Sequence, residues 1–436
     1  MSKTIITTIK NLLTSARPEI SGNRQQVQDL ISQLCETTGV TLHPDMFKDE
    51  DATLTVHGKA VSMTTAAQCA EDYMRTQVFL RGTYQAIQEQ LQSQSTVELL
   101  YAGTGPFGLL VIPLLPFFSA EQIQVTLLDI HPESLEALGT LIDALQVRDH
   151  IRTIQCVDIL QWQAPAKTQY DLIVSETMKA MLEQEPQVAI FTHLSRWLKP
   201  SGHLIPERIQ INAWLCNQTG EPDQQYLGPV FSLDQQTACR LHAGDRSMLA
   251  AQLRIPEHPS QLRDIKFTTD ITVYAGHRLT ENQSSLTLPK RIKNANPLGG
   301  SRLKCRYHTG TYPKFRFHYR RAPCLAEQPL PDSSDTSLLG ILHLKRMWHK
   351  AQLNKQQQLD KDLHRQEWPL DQHLLNALQL DSTKVLQLLY LSDTAEDFQT
   401  GLHACNPGLF TADRINHINQ KIKQAPRVPH NTTQDN

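Results

Sequence analysis

Hydrophobic and polar positions change rhythm several times along the chain. From Arg24 to Cys35, Val27, Leu30, Ile31 and Leu34 fall on one helical face. Thr64–Leu91 repeats the pattern through Met74, Val78, Tyr84, Ile87 and Leu91, predicting a long helix with Gly82 as its weak point. From Thr96 short apolar runs alternate with helical stretches. Val97–Tyr101, Val125–Asp129, Thr153–Val157 and Asp171–Val174 read as buried strands; Leu109–Leu115, Pro132–Leu145 and Val188–Leu198 read as helices or apolar crossovers. This alternation predicts an α/β fold with a parallel sheet covered on both faces and right-handed crossovers.

The rhythm changes again after Pro206. Ile209–Leu215, Ile265–Tyr274, Ser285–Leu288 and Phe315–Tyr319 predict strands separated by polar loops, a β-rich module with thin helical signal. Pro329–Ser337 is a polar linker. Leu338–Ala425 is helical in character through Leu342, Met347, Leu374, Leu378, Leu386, Leu389, Phe398 and Ile415. The expected layout is an N-terminal helical segment (1–61), an α/β domain (62–206), a β-rich barrel or sandwich (207–328), a helical module (338–425) and a disordered tail (426–436).

Length and composition narrow the classes. A chain of 436 residues with 40% hydrophobic and 20% charged content can bury more than one core and is neither fibrous nor wholly disordered. The net charge of -2 supplies no global field toward nucleic acid or anionic lipid, so a nucleic-acid partner is disfavoured. The 8 cysteines have irregular spacing, without a C-x-x-C pair or zinc-site pattern, and suggest a reducing compartment. Cys156 reads as a small core residue. No metal site is expected. The opening MSKTIITTIKNLL has no signal-peptide pattern, and the longest apolar run, Leu109–Phe118, is broken by Pro113 and Pro116. The expected location is cytoplasmic, away from membranes.

Candidate chemistry concentrates at strand ends. VELLYAGTGPFG (97–108) follows a strand with Gly103, Gly105 and Gly108 at G-x-G-x-x-G spacing. Such glycines let backbone approach a ligand at the next helix N-terminus. The run VTLLD ends in Asp129, placed to accept ribose hydroxyls or to cap the helix at Pro132. IQCVD ends in Asp158, which could accept an adenine amino group or lie in a surface turn. YDLIVSE ends in Ser175 and Glu176, and RWLKPSGHLIPE (196–207) gives a helix end, a turn and a new strand.

This succession resembles class I S-adenosylmethionine-dependent methyltransferases. The LKPSG turn weighs against a dinucleotide dehydrogenase. The resemblance implies a Rossmann-like sheet binding S-adenosyl-L-methionine through Gly103, Thr104, Gly105, Gly108, Asp129 and Asp158. More narrowly, SETMKAMLEQE (175–185) resembles the double-glutamate loop of protein arginine methyltransferases, and DYMRT (72–76) resembles that family's cofactor-binding run. It implies that Glu176 and Glu185 hold a substrate guanidinium, that Arg75 pairs with the cofactor's carboxylate, and that a β-barrel follows. The chain departs from the family at Leu99 and Tyr101, where an acid and a glycine are usual. It also has Thr177 for an aromatic, Lys179–Ala180 for Gly-Tyr, and no Thr-His-Trp motif.

The expected reaction is N-methylation of a guanidino or amino group on a protein or small molecule, with the helical module open to either homodimerisation or partner docking. The alternatives are a small-molecule methyltransferase of natural-product type, with Glu176 or Glu185 as base or cation anchor, and a non-catalytic cofactor-binding scaffold. The scaffold would work through Ser301–Arg321, where Lys and Arg interleave with Tyr and Phe and no acid occurs. That segment also reads more simply as an alternating strand with one charged face.

Overall fold

The computed structural model describes residues 2–14, 20–42, 49, 51–217, 224–257, 264–293, 295–322, 348, 375 and 379–407. The chain divides into Met1–Ala322 and Pro323–Asn436, and the boundary expected at 206/207 lies inside the first unit.

Helices α1 (Ser2–Thr14) and α2 (Ile20–Thr38) are amphipathic, burying Ile5, Ile9 and Leu12 on the first and Val27, Leu30 and Leu34 on the second. A short hairpin, β1 (Thr53–Thr55) and β2 (Gly58–Ala60), follows inside the segment expected to be helical (1–61). Thr64–Leu91 is not one helix but two. α3 (Met63–Cys69) is capped by Ser62, and α4 (Tyr73–Ser93) restarts at Asp72, whose carboxylate accepts from Arg75 N at 3.2 Å. An Asp cap satisfies an amide that would otherwise be orphaned, and is worth about 1 kcal/mol. Gly82 is a contact point: a Cβ there would sit 2.6 Å from Val273 Cγ1.

The parallel sheet comprises β3 (Val97–Ala102), β4 (Ile123–Asp129), β5 (Ile151–Cys156), β6 (Tyr170–Val174) and β7 (Leu198–Ile205), in the order β5-β4-β3-β6-β7. β3, β4 and β6 are buried almost throughout, as strands covered on both faces must be. β5 lies at the edge and is only half buried, so Cys156 is exposed rather than a core residue. Helix α5 (Pro132–Leu145) packs on β4 and β5, with Pro132 at its first turn. The expected crossover at Leu109–Leu115 is a 3-10 turn, Ile112–Phe117, since Pro113 and Pro116 deny it α-helical hydrogen bonds. Helix α6 (Gln187–Leu194) leads into β7. Strand order reverses around β3, which opens a crevice beyond the C-terminal strand ends.

The second module contains more than its sequence pattern suggested. β8 (Arg208–Cys216) pairs with β9 (Gln224–Asp234), followed by α7 (Gln235–His242), a helix the sequence reading missed, and β10 (Ala250–Arg254). β11 (Asp264–Tyr274) pairs with β8, with β12 (His277–Leu279) and with β13 (Lys290–Ile292). Ser285–Leu288 is not a strand. Ser285–Thr287 forms a 3-10 turn closed by a Ser284–Thr287 capping box, which local side chains impose over β propensity. β14 (Arg302–His308) and β15 (Lys314–His318) form a hairpin that joins β10 in a 3-stranded sheet. Inward-facing aromatics link the two sheets. Phe267 stacks on Phe317 at 4.0 Å, and Phe231 stacks on Tyr307 at 5.8 Å.

In the second unit, α8 (Ser382–Leu391) and α9 (Ala395–Cys405) begin at the caps Asp381 and Thr394 and bury Val385, Leu389, Phe398 and Leu402. Trp348 is buried and donates to the Ser392 carbonyl at 3.2 Å. The linker 329–337, the residues Leu342, Met347, Leu374, Leu378 and Ile415, and the tail 426–436 lie outside the described residues. Among the described residues no helix is long and apolar enough to cross a membrane.

Candidate active site

A cavity of about 780 Å³ opens at the C-terminal ends of the parallel strands. Gly103, Thr104 and Gly105 after β3, Asp129 at the end of β4, Asp158 after β5 and Glu176 after β6 all line it. Arg75 from α4 and Glu185 from the loop before α6 complete the wall. Of the glycines singled out from sequence, Gly108 does not line the cavity. A Cβ there would meet Ile112 and Leu138 at 2.5 and 2.6 Å, so its role is packing beneath the loop.

The glycine loop is closed by its own neighbours. Gly103 has φ +76°, and a Cβ on it would lie 2.6 Å from Thr177 Cγ2. One Asp129 oxygen accepts from Gly105 N at 2.8 Å and Thr104 Oγ1 at 3.3 Å, and the other accepts from His131 N at 2.9 Å. Asp129 therefore ties the loop to the second strand tip; an ionised carboxylate has lone pairs to spare for a further donor. Asp158 accepts from Leu160 N and Gln161 Nε2, shaping the turn after β5 while still facing the cavity. Tyr101, buried where the resembling family has glycine, fills part of the wall.

Arg75 does not stand apart to await a carboxylate ligand. Its guanidinium is hydrogen-bonded to Glu176 Oε2. This pairing leaves Glu176 Oε1 buried with no hydrogen-bond partner. Glu185 is 7% exposed, and burial pushes its carboxyl up to about 7 from 4.5, with Arg75, Lys179 and Lys59 opposing and Asp49 adding to the shift. Glu176 and Glu185 thus line one cavity but differ in environment.

The loop carrying Glu185 is conformationally costly. Met181, Leu182 and Gln184 have φ of 63, 55 and 68°, left-handed values that cost roughly 1–3 kcal/mol each in non-glycine residues. Distant elements offset that cost. Met181 N donates to Thr269 Oγ1, Tyr307 OH to the Leu182 carbonyl, Gln184 N to the Pro313 carbonyl, and Lys59 N to the Gln184 carbonyl. Gly58 lets the β1–β2 hairpin lie directly on this loop, since a Cβ there would meet Pro186 N at 2.9 Å.

Comparison with known proteins gives shape but little sequence. No protein-family model matches the chain, and no curated protein matches it. Among solved structures, Trypanosoma brucei PRMT1 in an enzyme-prozyme heterotetrameric complex with AdoHcy is 14% identical, with a TM-score of 0.44 over 61% of this chain and 95% of that one. Arabidopsis thaliana protein arginine methyltransferase 10 is also 14% identical, with a TM-score of 0.39 over 56% of this chain and 89% of that one. At this level of likeness neither structure bears on the activity.

Sequence reading missed several residues that build the site. Asp49 and Lys59 line the cavity as an ion pair at 2.5 Å. Gln187 is fully buried, and its amide accepts from Thr177 N at 2.8 Å and donates to the Ser175 carbonyl at 3.1 Å, pinning both sides of Glu176. Asp72, read from sequence only as part of the DYMRT run, accepts from Ser284 Oγ, Ser285 N and Ser285 Oγ, joining the start of α4 to the β module. These contacts join residues ten or more positions apart in the chain, beyond any helix or strand period.

Proposed function

We propose that this chain is an S-adenosylmethionine-dependent methyltransferase that N-methylates a guanidino or amino group held between Glu176 and Glu185. The observation that carries the reading is their placement together in the cavity at the strand tips, with Glu176 Oε1 unpartnered and Glu185 titrating near neutrality.

The lining residues fit the cofactor. Gly103 and Gly105 bring backbone to the cavity wall, Asp129 and Asp158 offer acceptors for ribose and adenine donors, and His131 Nε2 is a buried ring nitrogen without a partner. Arg75, already paired with Glu176, is placed to meet the cofactor's carboxylate with its remaining donors. When bound, the cofactor supplies an electrophilic methyl group on a sulfonium.

The protein's part is alignment and charge. Glu176 is anchored by Arg75 on one oxygen and offers the other to an N–H of the acceptor, a charge-assisted bond of fixed direction. Glu185, with its carboxyl near 7, can take the proton that the acceptor nitrogen releases. The low exposure of both carboxylates strengthens both interactions.

A small-molecule acceptor is the second reading. Lys59 and Lys179 line the same cavity and could receive a carboxylate on a free metabolite. The scaffold alternative would use the cavity without turnover. Transfer of label from S-adenosylmethionine into a cell extract, separated by size, distinguishes them. Label on protein that disappears with Glu176→Gln supports the peptide acceptor. Label only in the small-molecule fraction supports the metabolite. No transfer despite cofactor binding would overturn catalysis.

A further inference from the structure

The outer face of the 3-stranded sheet carries six Lys and Arg residues, Arg254, Arg302, Lys304, Arg306, Lys314 and Arg316, beside His308, His318, Gln252 and Ala250, and no acid. β14 is central, with β10 and β15 on either side. Alternate residues of each strand face outward: Arg302, Lys304 and Arg306 on β14 are exposed, while Leu303, Cys305 and Tyr307 are buried. The register sets Arg254 opposite Arg302, Lys304 opposite His318, Arg306 opposite Arg316, and His308 opposite Lys314.

Like charges directly opposite one another destabilise a sheet. Charges on edge strands guard against edge-to-edge aggregation, but that need does not reach the central strand β14. Arg254 has Glu257 as a partner at 2.5 Å. Among the described residues, Lys304, Arg306, Lys314 and Arg316 have no carboxylate within ion-pair distance. The local field is strong enough to register on His308, held below its ordinary value first by desolvation and then by Arg316, Arg306, His318 and Lys314. A shallow recess of about 430 Å³, lined by Arg302, Lys304, His318, Tyr319 and Arg320, lies on the same hairpin. Tyr312, at the hairpin tip, is 65% exposed.

We infer that the outer face of β10, β14 and β15 binds the phosphate backbone of a single-stranded nucleic acid, with the exposed Tyr312 at the hairpin tip as a surface on which a base stacks. Rows of cations track a phosphate chain, and aromatic rings favour bases over the side chains of an acidic polypeptide. This surface is separate from the methyl-transfer proposal and does not depend on it. It also revises the expectation drawn from the net charge of -2, which averages the basic face with the acidic cavity.

The test is fluorescence anisotropy of the full chain with labelled oligouridylate across a salt series. Neutralising about three phosphates at roughly 0.7 each gives a log–log salt slope of about two. The triple variant Lys304→Gln, Arg306→Gln, Arg316→Gln should bind about tenfold or more weakly, with a shallower slope and an unchanged or higher Tm. Lys304→Gln alone should show a smaller loss in the same direction, and serves if the triple variant fails to fold. Absence of binding at low salt would overturn the inference. So would variants that bind like the parent, or oligoglutamate competing as well as unlabelled oligouridylate.

Discussion

The loops after β3 and β6 reach the same cavity by opposite means. The loop at 103–108 takes its left-handed conformations on glycines, at Gly103, Gly105 and Gly108, and is fastened by the adjacent strand tip through Asp129. The loop at 177–186 takes such conformations on Met181, Leu182 and Gln184, and is fastened by β11, β14, the β14–β15 turn and the β1–β2 hairpin. The first is specified by residue types within a few positions. The second exists only once the β module and the N-terminal hairpin are in place. Gly103, Gly105 and Asp129 therefore sit on a frame set by adjacent strand tips, whereas Arg75 is tied to Glu176 and Glu185 sits on a loop held by the β module and the N-terminal hairpin.

The largest expected effect separates chemistry from frame. Glu176→Gln should lower methyl transfer by about 10³, within the range for losing a positioned acid–base or charged group, while cofactor affinity measured by calorimetry changes only a few-fold. Loss of affinity equal to the loss of turnover would mean that Glu176 serves mainly to hold Arg75 in place.

Next comes Glu185. Its folded-state carboxyl titrates at about 7, above the ordinary 4.5, so ionising it opposes folding. Stability from this group is fully present below about 4.5 and is lost as pH rises through about 7. Glu185→Gln should therefore stabilise the protein at pH 8 by up to about 3 kcal/mol, and the advantage should vanish near pH 4. Thermal melts at both pH values check this, and the proposed methyl transfer by the parent chain should rise with pH through about 7.

Gly58→Val tests the dependence of the second loop on distant elements. The φ of +146° and the contacts with Pro186 and Gln184 should cost about 2 kcal/mol. Hydrogen exchange should quicken across 179–186 while 103–108 keeps its protection. Equal loosening of both loops would erase the distinction. Tyr307→Phe is the mildest test. It leaves the Leu182 carbonyl without its 2.7 Å donor and should cost about 1 kcal/mol, with the same localised exchange.

This difference also explains what the sequence could reveal. Strand tips were legible because parallel buried strands are continuous apolar runs, and glycine and Asp mark where they end. Pro132–Leu145 was read to its observed limits from a proline start and helical spacing. The break at Asp72 was missed because capping outweighs apolar periodicity there, and Ser285–Thr287 because hydroxyl side chains close a turn. Cys156 was misread because its neighbours look alike on a central or an edge strand. Asp72 reaches Ser284 and Ser285 across 212 and 213 positions, while Lys59 meets Asp49 and Gln187 meets Thr177 across ten, a spacing that no helix or strand period encodes. The pairing of Arg75 with Glu176 joins two motifs that had been read independently.

Calorimetric titration of S-adenosylmethionine into the full chain is the most direct test of the central claim, because it does not require the acceptor to be known. The account predicts saturable one-site binding that Asp129→Asn weakens about tenfold or more, with Glu176→Gln still binding. Saturable binding of a nicotinamide dinucleotide in its place, or heat from neither ligand, would contradict it.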